Sequence, residues 1–386
     1  MALDLSGGLA ERLPGSRIVV WCGAQGARVA GVEGWRRAVY TACRAGFESL
    51  LVVVEGDAER VRRELSADPR LAGRRWEVAH AREAWAVRVA EAGGRWVSLD
   101  DRWVVDAAHL RQLAEGRGAL VSAAPDGPLA ADAAELAALA AAGWTPRLRR
   151  PSAGRPIDPP AVYVRVESAA DVAAAEDALF RSLARNATTF FARHVDRALS
   201  RAISRRLAPH PVTPDQITIF SIGLGVVGAL CLLRPSYGFG LLGSFLFLAS
   251  TVIDGCDGEI ARLKFQESAR GARLDVIGDN VVHAFLFPCV ALHAHFGDPT
   301  GPYLWLGTAA LAGVLVTWAV VYALIVRGRP SGRLLGFFEL FGNREFAYLF
   351  FVLGLIGKLH WFVWGMAVGL WVFPLGLVVL RWLEPR

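Results

Sequence analysis

Four aspartates stand in one short stretch, DGCDGEIARLKFQESARGARLDVIGD at 254–279. Asp254 and Asp257 are three residues apart, and Asp275 and Asp279 are four apart, so each pair shares one face of a helix. A tight connection between two such helices brings the pairs together. Four carboxylates at close range do not all stay ionised without a cation between them. Oxygen-only ligation suits a hard divalent ion, Mg²⁺ or else Mn²⁺, and four such ligands can bridge two ions about 4 Å apart. Gly258 and Ala261 have almost no side chain and let a flat or bulky group approach the helix backbone. Arg262 lies one turn beyond Gly258, suited to clamping a phosphate. A lone aspartate beside a bilayer is usually just interfacial. Four acids, two small residues and an arginine at fixed offsets point instead to a catalytic site.

The elements that must position these residues are long apolar runs. The chain has 386 residues, 54% of them hydrophobic, but the hydrophobicity is uneven: charges run through 1–210 and uncharged stretches dominate from 217 onward. A soluble domain followed by a membrane domain fits this distribution better than one globule. Six membrane helices are expected, at 217–233, about 238–264, about 272–296, 303–326, about 344–358 (a short one) and about 360–382. Trp361, Trp364 and Trp382 sit where interfacial anchors belong. The loop between the second and third helices carries Arg262, Lys264, Arg270 and Arg273, and that between the fourth and fifth carries Arg327, Arg329, Arg333 and Arg344. The remaining loops carry only Arg234 and Lys358, so the positive-inside rule puts both termini and the aspartates on the cytoplasmic side of a multi-pass cell-membrane protein. The net charge of +6 reports basic loops facing anionic lipid headgroups rather than nucleic acid. Five scattered cysteines with no CxxC pair argue against a disulfide framework or a zinc site. The N-terminal residues lack an apolar signal core, so the soluble domain is expected to stay in the cytoplasm.

The motif Asp254-x-x-Asp257-Gly258-x-x-Ala261-Arg262, then eight residues, then Gly271-x-x-x-Asp275-x-x-x-Asp279 resembles the full signature of the CDP-alcohol phosphotransferase (CDP-alcohol phosphatidyltransferase) family. TPDQIT at 213–218 is similar to the TPN-x-x-T lead of that family, with Asp215 in place of asparagine. The resemblance covers about 190–386. It implies an enzyme that moves a phospho-alcohol unit from a CDP-alcohol donor to an alcohol acceptor with release of CMP, in phospholipid or polar-headgroup synthesis. It implies that Asp254, Asp257, Asp275 and Asp279 are metal ligands and that Asp279 is also the base that takes the acceptor's proton. Gly258, Ala261, Arg262, Ser268, Gly271 and Thr218 are its implied nucleotide contacts. A homodimer through the membrane helices is implied as well. A rival of the binding class, a nucleotide-sensing membrane protein, is disfavoured because none of the four aspartates is lost. The route to a soluble product and the route to a lipid both stay open.

His283, four residues after Asp279, either assists the base or packs between helices. Arg344 in NREF (343–346) either holds an acceptor phosphate or snorkels to the interface. Residues 182–207 read as a basic amphipathic helix, within a juxtamembrane segment 181–212, that lies on headgroups or packs on the soluble domain. In 1–180, RIVVWC, GWRRAVYTACRAGF and SLLVVV read strand, helix, strand, and RWVSL and ALVSAA add β-like pieces. The fold expected is an α/β, Rossmann-like sandwich followed by an all-α six-helix membrane domain from 213 to 386. The sandwich resembles the sugar-nucleotidyltransferases, including inositol-phosphate cytidylyltransferases, which also occur fused to this transferase type. That fusion raises the alternative of a bifunctional cytidylyltransferase and di-inositol-phosphate synthase. The loop after the first strand, GAQGARVAGVEGWRR, keeps Gly23, Gly26 and Arg28 but no lysine, and Asp100 or Asp101 would be the metal-binding aspartate. A degenerate domain is expected.

Overall fold

A computed structural model describes residues 12–23, 27–81, 85–116, 119–122, 124–148, 155–183, 197–328, 331–341 and 346–383. The soluble half contains β1 (Leu13–Cys22), β2 (Arg28–Val29), β3 (Val32–Glu33), α1 (Gly34–Ala45), β4 (Phe47–Val54), α2 (Ala58–Ser66), β5 (Arg75–His80), α3 (Trp85–Ala92), β6 (Arg95–Asp100), β7 (Trp103–Val105) and α4 (Ala107–Glu115). It continues through β8 (Leu120–Val121), β9 (Leu129–Asp132), α5 (Ala133–Ala141), β10 (Arg155–Pro156), β11 (Tyr163–Arg165) and α6 (Ala169–Leu183). Seven strands form a mixed sheet in the order β10-β8-β9-β6-β1-β4-β5. In it β1 runs parallel to β4 and β6, while β9 is antiparallel to both its neighbours.

The central strands are apolar along their whole length because both faces of the sheet are covered. Ile18, Val20 and Val52 point to one face and join residues of α1 and α4 in one core. Val19, Trp21, Leu51 and Val53 point to the other and join Trp85, Val89 and Leu136 of α3 and α5. The alternation follows from the two-residue period of a strand. The registers Ile18↔Leu50 and Trp21↔Asp100 bring the ends of β1 and β6 together, where Asp100, Asp101 and Gly23 meet.

The helical half begins with α7 (Arg197–Leu207) and continues with α8 (Pro214–Cys231), α9 (Tyr237–Lys264), α10 (Ala269–Gly297), α11 (Tyr303–Val321), α12 (Gly332–Phe341), α13 (Phe346–Leu355) and α14 (Leu359–Leu383). Five of these, α8, α9, α10, α11 with its continuation to Ile325, and α14, are long and apolar enough to cross a bilayer. The expected short span at about 344–358 corresponds to the 10-residue α13, an apolar helix shorter than a bilayer crossing needs. α12 was not anticipated: it occupies part of what the sequence suggests is a loop. Large apolar side chains such as Phe220, Trp305, Leu315 and Trp382 face outward, as a lipid-bathed surface requires.

α8 and α9 cross through glycine. A Cβ on Gly243 would stand 2.7 Å from the Gly228 carbonyl oxygen, and one on Gly225 would stand 2.8 Å from Ser250 Oγ. Small residues are what allow two membrane helices to approach this closely. α7 packs on α9: Ser200 Oγ donates to Glu259 Oε1 at 2.9 Å, and Ser204 is fully buried. The described part of the basic amphipathic segment therefore uses one face for protein packing, with Leu199 left exposed. Residues 184–196 of that segment, and Arg344 of NREF, lie outside the described residues.

Candidate active site

The aspartates are delivered by the adjoining ends of α9 and α10. α8 starts where Thr213 caps it: the Thr213 side chain accepts from Gln216 N–H at 3.4 Å and the Gln216 side chain accepts from Thr213 N–H at 3.0 Å, a reciprocal cap with Pro214 in the first turn. TPDQIT is thus a helix start, and it sets Thr218 one turn inside α8. α10 starts at Ser268, whose side chain accepts from Gly271 N–H at 2.9 Å. A four-residue connection, 265–268, separates α9 from α10, so the two aspartate pairs end up face to face.

Asp254, Asp257 and Asp275 converge, each offering a carboxylate oxygen within 4.8 Å of the others. Asp254 is buried, and Ser221 Oγ donates to its Oδ1 at 3.3 Å. Thr218 Oγ1 donates to Asp257 Oδ2. Asp279 is not in this three-carboxylate group. It lies one turn further along α10 and lines a separate small cavity with Asp254, Ser221, Phe247, His283 and Phe346. On the other side of the carboxylates is a larger cavity lined by Asp215, Thr218, Asp257, Gly258, Ala261, Arg262, Gln266, Glu267, Ser268, Gly271 and Asp275. The cluster is therefore a wall between two spaces. Asp257 and Asp275 face the larger one, of about 190 Å³; Asp254 and Asp279 face the smaller, of about 30 Å³. The smaller has room for little more than a water or an ion.

Every nucleotide contact expected from the sequence lines the larger cavity. At Gly258 the cavity is open, since a Cβ there would meet only Arg262, at ordinary contact distance, 3.5 Å. Thr218 touches the carboxylate Asp257 as well as lining the cavity. His283 stacks on Phe287 at 5.4 Å and lies near Phe247 and Phe346, the packing role among its two readings, although its ring also borders the Asp279 cavity. Sequence reasoning missed Ser221 and Glu259. Glu259 is buried on α9, with Oε1 taken by Ser200 and Oε2 without a hydrogen-bond partner.

In the soluble domain, Asp100 and Asp101 sit at the carboxyl end of β6, the edge where α/β sheets bind ligands. Arginines fill that place. Arg147 Nη2 pairs with Asp101 Oδ1 at 2.8 Å and Arg147 Nε lies 3.4 Å from Asp100 Oδ2, while Arg102 Nη2 pairs with Asp100 Oδ2 at 2.9 Å. Gly23 N–H donates to Asp101 Oδ2 at 2.9 Å. Burial, and Asp100 beside it, push the Asp101 carboxyl above the usual carboxylate range. A Cβ on Gly23 would lie 1.9 Å from Arg147 Nη2, so the guanidinium is seated directly on the backbone after β1. Residues 24–26, including Gly26, lie outside the described residues.

Residues 211–383 match the model of the CDP-alcohol phosphatidyltransferase family. The chain is 30% identical over 129 residues to the bifunctional IPC transferase and DIPP synthase of Aquifex aeolicus, a stretch covering 32% of this chain and 28% of that protein. It is 33% identical over 124 residues to the protein of the same description from Rubrobacter xylanophilus (32% and 27%), and 32% identical over 148 residues to that of Archaeoglobus fulgidus (36% and 29%). The match thus spans less than a third of the length of each of these relatives.

Proposed function

We propose that this chain, whose residues 211–383 are a CDP-alcohol phosphatidyltransferase domain, is a membrane transferase that moves a phospho-alcohol unit from a CDP-alcohol to an acceptor alcohol and releases CMP. The observation that carries the reading is the wall of Asp254, Asp257 and Asp275 between a larger cavity, lined by Arg262 and Ser268, and a smaller one holding Asp279. The donor set is oxygen only, and three carboxylates within 4.8 Å suit a hard divalent cation, Mg²⁺ or Mn²⁺. Asp254, Asp257 and Asp275 would hold a first ion, and Asp279 would join them in holding a second. Bound there, the metal supplies positive charge against the pyrophosphate of the donor.

The chain's own residues do the rest. Gly258 and Ala261 line the α9 side of the larger cavity, where the nucleotide lies. Arg262 pairs with its phosphate. Ser268 offers its hydroxyl, and Gly271 a backbone without a side chain, at the start of α10, where the helix dipole also favours an anion. The acceptor oxygen forms a bond to the phosphorus that bears the donor alcohol, the bond from that phosphorus to the bridging oxygen breaks, and CMP leaves. Asp279 takes the acceptor's proton as that bond forms. Positive-inside charge supports a cytoplasmic site. The soluble domain contacts the end of α9 and the α9–α10 connection and so lies on the same side. Family likeness supports a homodimer through the membrane helices. The arginines on Asp100 and Asp101, with the missing lysine, support a soluble domain (1–180) that no longer makes CDP-alcohols.

The relatives' description as DIPP synthases favours CDP-inositol with an inositol phosphate over a lipid pair. The test offers CDP-inositol, CDP-glycerol and CDP-diacylglycerol, each with inositol phosphate or glycerol phosphate, to the full chain in detergent and measures CMP. One pair should turn over. Asp279→Asn should still bind that donor with Mg²⁺ but release CMP at least ~100-fold more slowly. Normal turnover by Asp279→Asn at high Mg²⁺ would make Asp279 a ligand only and turn attention to His283.

A further inference from the structure

The connection that turns α9 into α10 is held mainly by the soluble domain. Phe265 ends α9 in the left-handed region, with φ 56°. A bulky side chain there costs ~1–2 kcal/mol and persists only when its surroundings fix it. Those surroundings are α1 and its neighbour Arg70. The Arg44 guanidinium carbon lies 4.3 Å from the centre of the Phe265 ring and that of Arg37 5.4 Å, with the Tyr40 ring at 5.5 Å.

The same arginines take the last carbonyls of α9, which have no partner within their helix. Arg44 Nη2 donates to the Arg262 carbonyl at 3.2 Å and Arg37 Nη2 to the Leu263 carbonyl at 3.1 Å. Arg70 Nη1 donates to the Phe265 carbonyl at 3.3 Å, and Arg44 also pairs with Glu267. Three cations thus sit at the negative end of the α9 dipole, each supplied by the other domain. The held stretch includes Arg262, Gln266, Glu267 and Ser268, all of which line the larger cavity.

We propose that α1 of the soluble domain is a positioning device for the cytidine-nucleotide pocket, with Arg44 as its central positioning residue acting through Arg262 and the 265–268 connection. The inference deepens the transferase reading and rests on it. It gives the soluble domain a task that does not need its own nucleotide chemistry. Arg44 touches no substrate. It fixes where the α9 end and the α10 start stand, and so how far Arg262 and Ser268 must reorganise to meet a phosphate.

The test is equilibrium binding of radiolabelled CMP to the detergent-solubilised full chain in Mg²⁺. Arg44→Ala should weaken CMP at least ten-fold while its unfolding midpoint stays near that of the wild type. Arg44→Lys keeps a cation at the α9 end and should return CMP binding to within three-fold of wild type. Arg36→Ala, on the same helix but paired with Glu33 and Glu64, should bind CMP within two-fold of wild type. If Arg44→Ala does not fold, Arg44→Gln is read in its place. CMP binding by Arg44→Ala within two-fold of wild type, no recovery by Arg44→Lys, or an equal loss in Arg36→Ala overturns the inference and leaves the transferase reading standing. A wild-type chain that binds no CMP takes down both.

Discussion

Asp257→Asn should stabilise the protein without metal and lose most of that advantage with metal. Asp254, Asp257 and Asp275 lie within 4.8 Å of one another. Two unit charges at that distance repel by about 3.5 kcal/mol at an effective dielectric constant of ~20. Asp257 takes part in two such pairs, which sum to about 7 kcal/mol with all three carboxylates ionised, a sum that carboxylates this close reduce by sharing a proton when no cation is present. Asp275 is half-exposed, and water and salt screen its share, so a gain of roughly 3 kcal/mol is a fair expectation. The isosteric amide keeps an oxygen to accept from Thr218 Oγ1, so little else changes. The assay is thermal unfolding of the full chain in detergent at a fixed scan rate, since membrane proteins seldom unfold reversibly and the midpoint then serves as a ranking. In EDTA the variant should melt several degrees above wild type. In Mg²⁺ at about 100 times its dissociation constant, wild type should gain about 2.7 kcal/mol by linkage while the variant gains much less, so that most of the lead disappears. A variant that melts at or below wild type in EDTA would refute the reasoning, because the carboxylates would then not be a repulsive cluster relieved by a cation.

Two further outcomes concern the soluble domain. His109 is buried with Nε2 2.9 Å from Ser122 Oγ, and burial pushes its imidazole down to about 4. The unfolded chain takes up that proton near pH 6.5, so the stability tied to neutral His109 is full above pH 6.5 and is lost as pH falls toward 4, by up to about 3 kcal/mol. His109→Gln should therefore unfold in urea with a shallower acid dependence between pH 6.5 and 4.5, and parallel curves for the two proteins would contradict the assignment. With CTP and an alcohol phosphate, the full chain should release no pyrophosphate, because Arg147 and Arg102 occupy the carboxylates that a metal–triphosphate would need. Steady pyrophosphate release would make the protein bifunctional.

Local chemistry was legible in the sequence because it is written at short range. Asp254, Asp257, Gly258, Ala261 and Arg262 fall on successive turns of one helix, and Asp275 and Asp279 on those of another, so helical periodicity alone placed each set. The alternating apolar strands RIVVWC and SLLVVV, the TPDQIT helix start and the long apolar spans were legible for the same reason: each is a pattern within about twenty residues. What the sequence did not show is which partners these patterns meet. The separation of Asp279 from the three converging carboxylates goes with how α8 crosses α9 at Gly228 and Gly243 and meets α10 at Gly225 and Gly278, crossings fixed by packing rather than by spacing. Ser221 on Asp254 and Ser200 on Glu259 join residues 33 and 59 positions apart. Arg37 and Arg44 reach the end of α9 across 226 and 218 residues, and Arg147 reaches Asp101 across 46. A buried carbonyl or carboxylate needs a donor, but it does not specify from which segment that donor comes. Only the tertiary structure decides it, because the choice is made by whichever surfaces bury together.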